Sequence, residues 1–140
     1  MLHDDLVSTS VTYHLGIAVL AISGDFDIAT APTIEHAIAE VLAEDPPSLI
    51  IDLLGVRFLA STGVGILLNT RDKFFDFDCF SVVAQGRMTR RIIQLLDLDR
   101  VLSLKETVDE ALSAAREHKA PAASPTPIPK APTARSLDEL

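Results

Sequence analysis

Residues 49–68 read LIIDLLGVRFLASTGVGILL and carry the most specific structural signal in the chain. The apolar run that ends at Asp52-Leu53 predicts a buried strand followed by a short loop. The run Ser61-Thr62-Gly63-Val64-Gly65 then predicts the start of a helix. A helix start offers unpaired N–H groups and partial positive charge, so a hydroxyl there caps the helix or accepts a phosphoryl group. Glycines beside the hydroxyls allow another chain to approach closely.

The same stretch resembles a known family signature. The similar positions are Asp52-Leu53, Val56, Phe58, Ser61-Thr62-Gly63 and Gly65. They are similar to the STAS domain, specifically to bacterial anti-sigma-factor antagonists. In that family an ATP-binding anti-sigma kinase phosphorylates the hydroxyl residue directly before the first glycine, and the resemblance places this role on Thr62. Ser61 is the expected helix cap and the fallback acceptor.

Composition limits the classes of function. The 140 residues, 48% of them hydrophobic, suffice for one domain with a core plus an extension. The formal net charge of -8 disfavours nucleic acid and anionic membranes and favours a partner with a basic face. Cys79 is the one cysteine, the N-terminus does not resemble a signal peptide, and the apolar runs are short, so we expect a cytoplasmic protein.

The first half of the chain predicts a hairpin and a helix. Alternating apolar residues predict an edge strand from Val7 to Tyr13, paired with an interior strand over Ile17–Ile22. The stretch GDFDIATAP, residues 24–32, resembles a second family motif, with Thr30 as the predicted cap and Pro32 in the first turn of the helix. The helix presents apolar residues at helical spacing, namely Ile34, Ala37, Ile38, Val41 and Leu42.

The second half continues the alternation of strands and helices. Further strands are expected at 48–53, 79–84 and 101–104. One helix should bury Val64, Leu67, Leu68 and Phe74, and the next should bury Met88, Ile92, Leu95 and Leu96. Thr107 and Glu110 have capping-box spacing before a last helix.

These elements together predict an α/β fold. Its sheet should be mixed and largely parallel with packed helices, the sandwich that the STAS resemblance implies. The STAS domain is expected over residues 1–118. Residues 119–140 are rich in Pro and Ala and predict a disordered tail.

Several polar residues have both a functional and a structural interpretation. The fold that the STAS resemblance implies places Asp27 near the Thr62 loop, where it would contact the hydroxyl or the kinase; the alternative is a turn aspartate that bonds its own backbone. Asp52 is interpreted as structural, accepting N–H groups of the following loop. The cluster Arg87, Arg90 and Arg91 is interpreted as a solvated helix face.

Residues that perform catalysis or bind metal are not expected. His3, His14, His36 and His118 are scattered, with no i, i+4 pair and no cysteine at metal-binding spacing. The sequence contains no nucleophile elbow, P-loop or dinucleotide fingerprint. We therefore predict a non-enzymatic protein without a catalytic residue, metal or cofactor.

The resemblance implies a regulatory switch. The unphosphorylated protein would bind an ATP-binding anti-sigma factor kinase and free a sigma factor, with Asp27, Ser61, Thr62, Gly63 and Gly65 as the partner-binding residues. Phosphorylation of Thr62 would release the partner, and a phosphatase would reset the switch. Two alternatives stay open. Ala60 stands where the family often has Asp, which favours a STAS scaffold without phosphorylation. The other is a sensor that holds a nucleotide or anion at the same helix start.

Overall fold

The computed structural model describes residues 7–76 and 79–123, with side chains as far as Glu117. Five strands and four helices are found in this part of the chain. In chain order they are β1 (Val7–His14), β2 (Ile17–Phe26), α1 (Ala31–Ala43), β3 (Leu49–Leu59), α2 (Ser61–Arg71), β4 (Phe80–Val83), α3 (Arg90–Leu95), β5 (Leu104–Lys105) and α4 (Val108–Ala123).

The strands form one sheet in the order β1-β2-β3-β4-β5. β1 pairs antiparallel with β2, whereas β2, β3, β4 and β5 run parallel to one another. The predicted mixed, largely parallel sheet is confirmed, and β3 is its central strand. None of the helices in the described ranges is long and apolar enough to cross a bilayer.

The hairpin of β1 and β2 closes through a tight two-residue turn. Leu15 and Gly16 have φ angles of 55° and 87°. Positive φ at both positions defines the type I′ turn, whose twist matches that of the flanking strands. The predicted edge strand is confirmed, because β1 stands first in the strand order and pairs with β2 on one side.

Apolar residues form a cluster on each face of the sheet. The larger cluster lies beneath α1 and α2, where Ile34 and Leu67 pack over residues such as Ile51. The smaller cluster lies beneath α4, where Leu112 packs near Ile50. Successive residues of β3 point to opposite faces, so this central strand contributes to both clusters.

β3 is longer than the sequence predicts. The residues after Leu53, expected to form a short loop, continue the strand as far as Leu59. They do so because β2 also continues, pairing Ser23 with Gly55 and Phe26 with Leu59 after shifts of register. A side chain at Gly55 would collide with the Ser23 hydroxyl, so glycine permits this pairing.

The predicted buried face of α3 is wrong except at Ile92, which is partly buried and packs against the core. Leu95 and Leu96 are 67% and 52% exposed, and Met88 is also exposed, whereas the fully buried residue of α3 is Ile93. α3 has only 6 residues, too few for a helical apolar stripe to form. Its orientation is set by its contacts with the ends of the neighbouring strands.

The region around β5 also differs from the prediction. Residues 101–103 form turns, and β5 comprises only Leu104–Lys105. The Leu102 N–H donates to the Leu98 carbonyl at 2.9 Å, and the Leu104 N–H donates to Asp99 at 2.8 Å. These local bonds use the groups that a longer strand would need for pairing.

The start of α4 has the predicted bond from the Glu110 N–H to Thr107, whereas the Glu110 side chain accepts from the residue before the expected one. The Glu110 N–H donates to Thr107 Oγ1 at 3.0 Å, while Glu110 Oε1 accepts from the Glu106 N–H at 2.8 Å. α4 continues to Ala123, beyond the expected domain end at residue 118. Residues 124–140 of the predicted tail lie outside the described residues.

Candidate functional site

Two loops meet the chain immediately before α2. The Ala60 N–H donates to the Phe26 carbonyl at 2.9 Å, which holds the end of β2 beside the start of α2. The Leu59 N–H donates to the Met88 carbonyl at 3.2 Å, which brings in the loop between β4 and α3. These loops follow parallel strands, and the carboxyl ends of such strands are where open α/β sheets place their binding sites.

The start of α2 departs from the predicted cap. Ala60 occupies the N-cap position with φ -85° and ψ 168°, and no side-chain cap bond is present. The prediction that Ser61 caps the helix is therefore wrong, because the extended backbone of β3 leads directly into α2 and places Ser61 inside it. The Val64 N–H donates to the Ala60 carbonyl at 3.1 Å, so the preceding N–H groups have no acceptor within the helix.

The two hydroxyl residues lie in the first turn of α2, at the surface. Ser61 is exposed and Thr62 is half-buried. Thr62 is thus not enclosed by its own domain. Its role as phosphoacceptor stays a prediction, as does the fallback role of Ser61.

The two glycines of the motif have different surroundings. Gly63 is buried, and a Cβ there would lie 2.7 Å from Leu59 Cδ1 and 2.9 Å from Phe26 Cδ1. Gly63 therefore lets α2 pack closely against the sheet of its own domain. A Cβ at Gly65 would meet nothing within 4 Å, so Gly65 is the glycine with open space beside it.

Asp27 forms the turn between β2 and α1. Its Oδ1 accepts from the N–H groups of Ala29 at 3.0 Å and Thr30 at 3.1 Å. Asp27 thereby makes the bonds of a turn aspartate. It fixes the loop that follows Phe26, the residue bonded to Ala60. A role in partner binding stays a prediction.

Thr30 occupies the N-cap position of α1 but makes no side-chain cap bond. Its Oγ1 instead accepts from the Asp27 N–H at 3.0 Å and donates to the Asp25 carbonyl at 2.8 Å. The predicted N-cap position of Thr30 is confirmed, but its side chain does not cap α1, because the hydroxyl is engaged with the preceding turn. The predicted proline in the first turn of α1 is confirmed.

Some charged side chains near the site form hydrogen bonds or ion pairs within the domain. Asp52 Oδ1 accepts from the Leu54 N–H at 2.9 Å, which confirms its structural role, although Leu54 belongs to β3 and not to the expected loop. Arg57 Nε lies 3.5 Å from Asp25 Oδ1. Arg90 Nη1 donates to the carbonyls of Ala84 and Lys105, so it is not part of a solvated face.

The sequence did not identify two exposed apolar residues on the loops beside α2. Ile28 is 78% exposed and Met88 is 46% exposed. Ile28 lies on the loop fixed by Asp27, and the Met88 carbonyl accepts a hydrogen bond from the Leu59 N–H. The sequence could have identified Ile28 as exposed, because it lies outside both the apolar pattern of β2 and the helical spacing of α1. Met88 was instead assigned to a buried helix face.

A separate groove of about 460 Å³ lies between α1 and α2. Its lining includes Ile38, Leu42, Ile66 and Thr70. The α2 residues involved belong to the second half of that helix and not to its start. Within the described ranges, no group of three or more His, Cys, Asp or Glu residues is placed to hold a metal ion.

Comparisons with known proteins agree with this fold. The STAS domain family model matches residues 8–111. The chain is 44% identical over 112 residues to the anti-sigma-F factor antagonist RsfB of Mycobacterium tuberculosis, covering 80% of this chain and 92% of that protein. It is 46% identical to a crystallised anti-sigma factor antagonist from Mycobacterium paratuberculosis, with a TM-score of 0.76 and coverage of 80% and 96%.

A more distant structure shares the fold alone. The unphosphorylated form of the anti-sigma factor antagonist SpoIIAA is 17% identical, with a TM-score of 0.61 and coverage of 79% of this chain and 97% of that chain. The match to the family model and the two close relatives together decide the family. The chain belongs to the STAS domain family, among the anti-sigma factor antagonists.

Proposed function

We propose that this protein binds an ATP-binding anti-sigma factor kinase in the cytoplasm and so frees a sigma factor for transcription. The observation that carries the proposal is the accessible first turn of α2, where Ser61 is exposed and Thr62 is half-buried. Support for the class of partner comes from the relative at 44% identity, whose name is anti-sigma-F factor antagonist. The net charge of -8 suits a partner with a basic docking face.

The docking surface that we propose combines hydroxyl and apolar groups. Ser61 and Thr62 lie at its centre, with exposed Ile28 and Met88 on the two adjoining loops. Burial of exposed apolar side chains favours association and offsets part of the entropy cost of docking. Asp27 contributes by holding the first of these loops in place.

Phosphorylation of Thr62 would switch this surface off. A phosphoryl group adds about -1.5 to -2 charges near neutral pH. The first N–H groups of α2 and the helix dipole stabilise this charge, so the domain keeps its fold. The partner docks on a small neutral hydroxyl and its apolar neighbours. After phosphorylation it would have to accommodate a hydrated dianion at the same place. A phosphatase would restore binding.

The phosphorylation site is tested by intact-mass measurement after incubation with the candidate anti-sigma kinase and MgATP. We expect the wild-type protein to gain one phosphoryl group, Ser61→Ala to gain it as well, and Thr62→Ala to remain unmodified. The reverse pattern for the two variants would move the acceptor to Ser61. Persistent kinase binding by unmodified protein after ATP treatment would favour a scaffold that is not phosphorylated.

The switch itself is tested by binding of the same kinase to Thr62→Glu. The added carboxylate should weaken binding at least tenfold, which corresponds to about 1.4 kcal/mol. Ser113→Glu is the matched control, because Ser113 is an exposed hydroxyl residue on α4 and should leave the affinity unchanged. Equal affinities for the two variants would contradict the proposal.

A further inference from the structure

β1 is the one long free edge of the sheet in the described part of the chain. It stands first in the strand order, so only β2 pairs with it. The opposite edge is β5, which has only 2 residues and is too short to pair with a further strand. β1 has 8 residues, enough for a stable additional pairing.

The turn geometry shows which groups of β1 point away from β2. In a two-residue hairpin the pair that closes the turn, here His14 and Ile17, is hydrogen-bonded, and such pairs alternate along the ladder. His14 and the residues at even positions therefore bond to β2. The outward N–H and C=O groups belong to Thr9, Val11 and Tyr13.

β1 lacks the features that natural edge strands use to prevent pairing. Its sequence VSTSVTYH contains no proline, lysine, arginine or carboxylate. Its register with β2 is unbroken from Val7 opposite Gly24 to His14 opposite Ile17, so no bulge twists the edge away. Val11 and Tyr13 are 38% and 51% exposed and lie on the same face of the strand.

We propose that β1 pairs antiparallel with β1 of a second copy of this chain, joining two five-stranded sheets about a two-fold axis. In the register that opposes outward-facing residues, Val11 meets Val11 and Thr9 meets Tyr13. A two-fold axis brings identical residues together, so a charged strand would repel itself there. β1 avoids this repulsion because its sequence contains no Asp, Glu, Lys or Arg, although the chain as a whole has a net charge of -8.

The pairing is independent of the proposed function. β3, which leads into α2, is two strands away from this edge. A failure of the kinase experiments would leave the proposal about β1 standing, and the absence of a dimer would leave the switch standing.

Sedimentation velocity of the full chain, from micromolar to near-millimolar concentration, tests the pairing. We expect a reversible monomer–dimer equilibrium for the wild type. Val11→Pro removes an outward N–H that β2 does not use, and Val11→Lys introduces a charge at the two-fold axis. Each should raise the dimer dissociation constant at least about tenfold. Val101→Lys is the matched control, since Val101 is 36% exposed and lies outside β1, and it should dimerise like the wild type.

Circular dichroism is used to check that each variant is folded. If Val11→Pro does not fold, the comparison rests on Val11→Lys. A wild type that is monomeric at every concentration would overturn the proposal. So would a folded Val11 variant with wild-type dimer affinity, or loss of the dimer in Val101→Lys.

Discussion

At the scale of single residues, the two glycines of the α2 motif serve different purposes. Gly63 lets α2 lie against Leu59 and Phe26, because any side chain there would overlap both. Gly65 has no atom near the position of a Cβ. The sequence shows both glycines but not this difference, since spacing along a helix does not reveal how closely the sheet beneath approaches.

Alanine at each glycine tests this distinction. Gly63→Ala should lower the free energy of unfolding by about 1–3 kcal/mol, the usual cost of overpacking. Gly65→Ala should leave it unchanged or raise it by up to about 1 kcal/mol, because alanine is the better helix former. Urea denaturation measures both values. Similar effects of the two substitutions would contradict the assigned packing of Gly63.

At the scale of elements, the Arg90 side chain links α3 to the ends of two strands, in addition to the packing of buried Ile93. Arg90 Nη1 donates to the Ala84 carbonyl at 2.9 Å and to the Lys105 carbonyl at 3.1 Å, at the ends of β4 and β5. A helix of 6 residues has little stability of its own. This anchor fixes α3, and with it the loop that carries Met88 to the start of α2.

Substitution of Arg90 tests the anchor. Arg90→Met should lower the free energy of unfolding by about 1–3 kcal/mol, because two carbonyls lose a charged donor. Arg91→Met changes an exposed neighbour on the same helix and should stay within about 0.5 kcal/mol. Thermal and urea unfolding compare the two, and an equal loss in both variants would show that Arg90 is not the anchor.

At the scale of the whole molecule, one sheet supports two apolar clusters. Ile51 of β3 belongs to the larger cluster and Ile50 to the smaller one. Because the same strand contributes to both, unfolding of β3 would remove residues from both clusters at once. We therefore expect residues 7–117 to unfold as one cooperative unit.

Leucine truncation on each face tests this cooperativity. Leu67→Ala in the larger cluster and Leu112→Ala in the smaller one should each lower the free energy of unfolding by about 2–5 kcal/mol. Leu95→Ala, at a residue 67% exposed, should change it by less than about 0.5 kcal/mol. Circular dichroism and the fluorescence of Tyr13 should report coincident transitions, and separated transitions would contradict a single unit.

The sequence by itself determined the identity of most elements. Alternation of apolar residues identified the β1 hairpin, helical spacing identified α1, and the residues from Asp52 to Gly65 identified the STAS family. These features are local, because side-chain periodicity and turn chemistry depend on residues that are neighbours in the chain.

Only the tertiary structure decided the remaining features. β3 reaches Leu59 because β2 extends beside it, and α3 buries Ile93 against the main core while Arg90 bonds the ends of β4 and β5. The meeting of Phe26 and Met88 with the start of α2 likewise depends on hydrogen bonds between segments far apart in the chain. Periodicity shows that a helix or strand has an apolar face. Which surface covers that face depends on pairing between segments that are far apart in the chain.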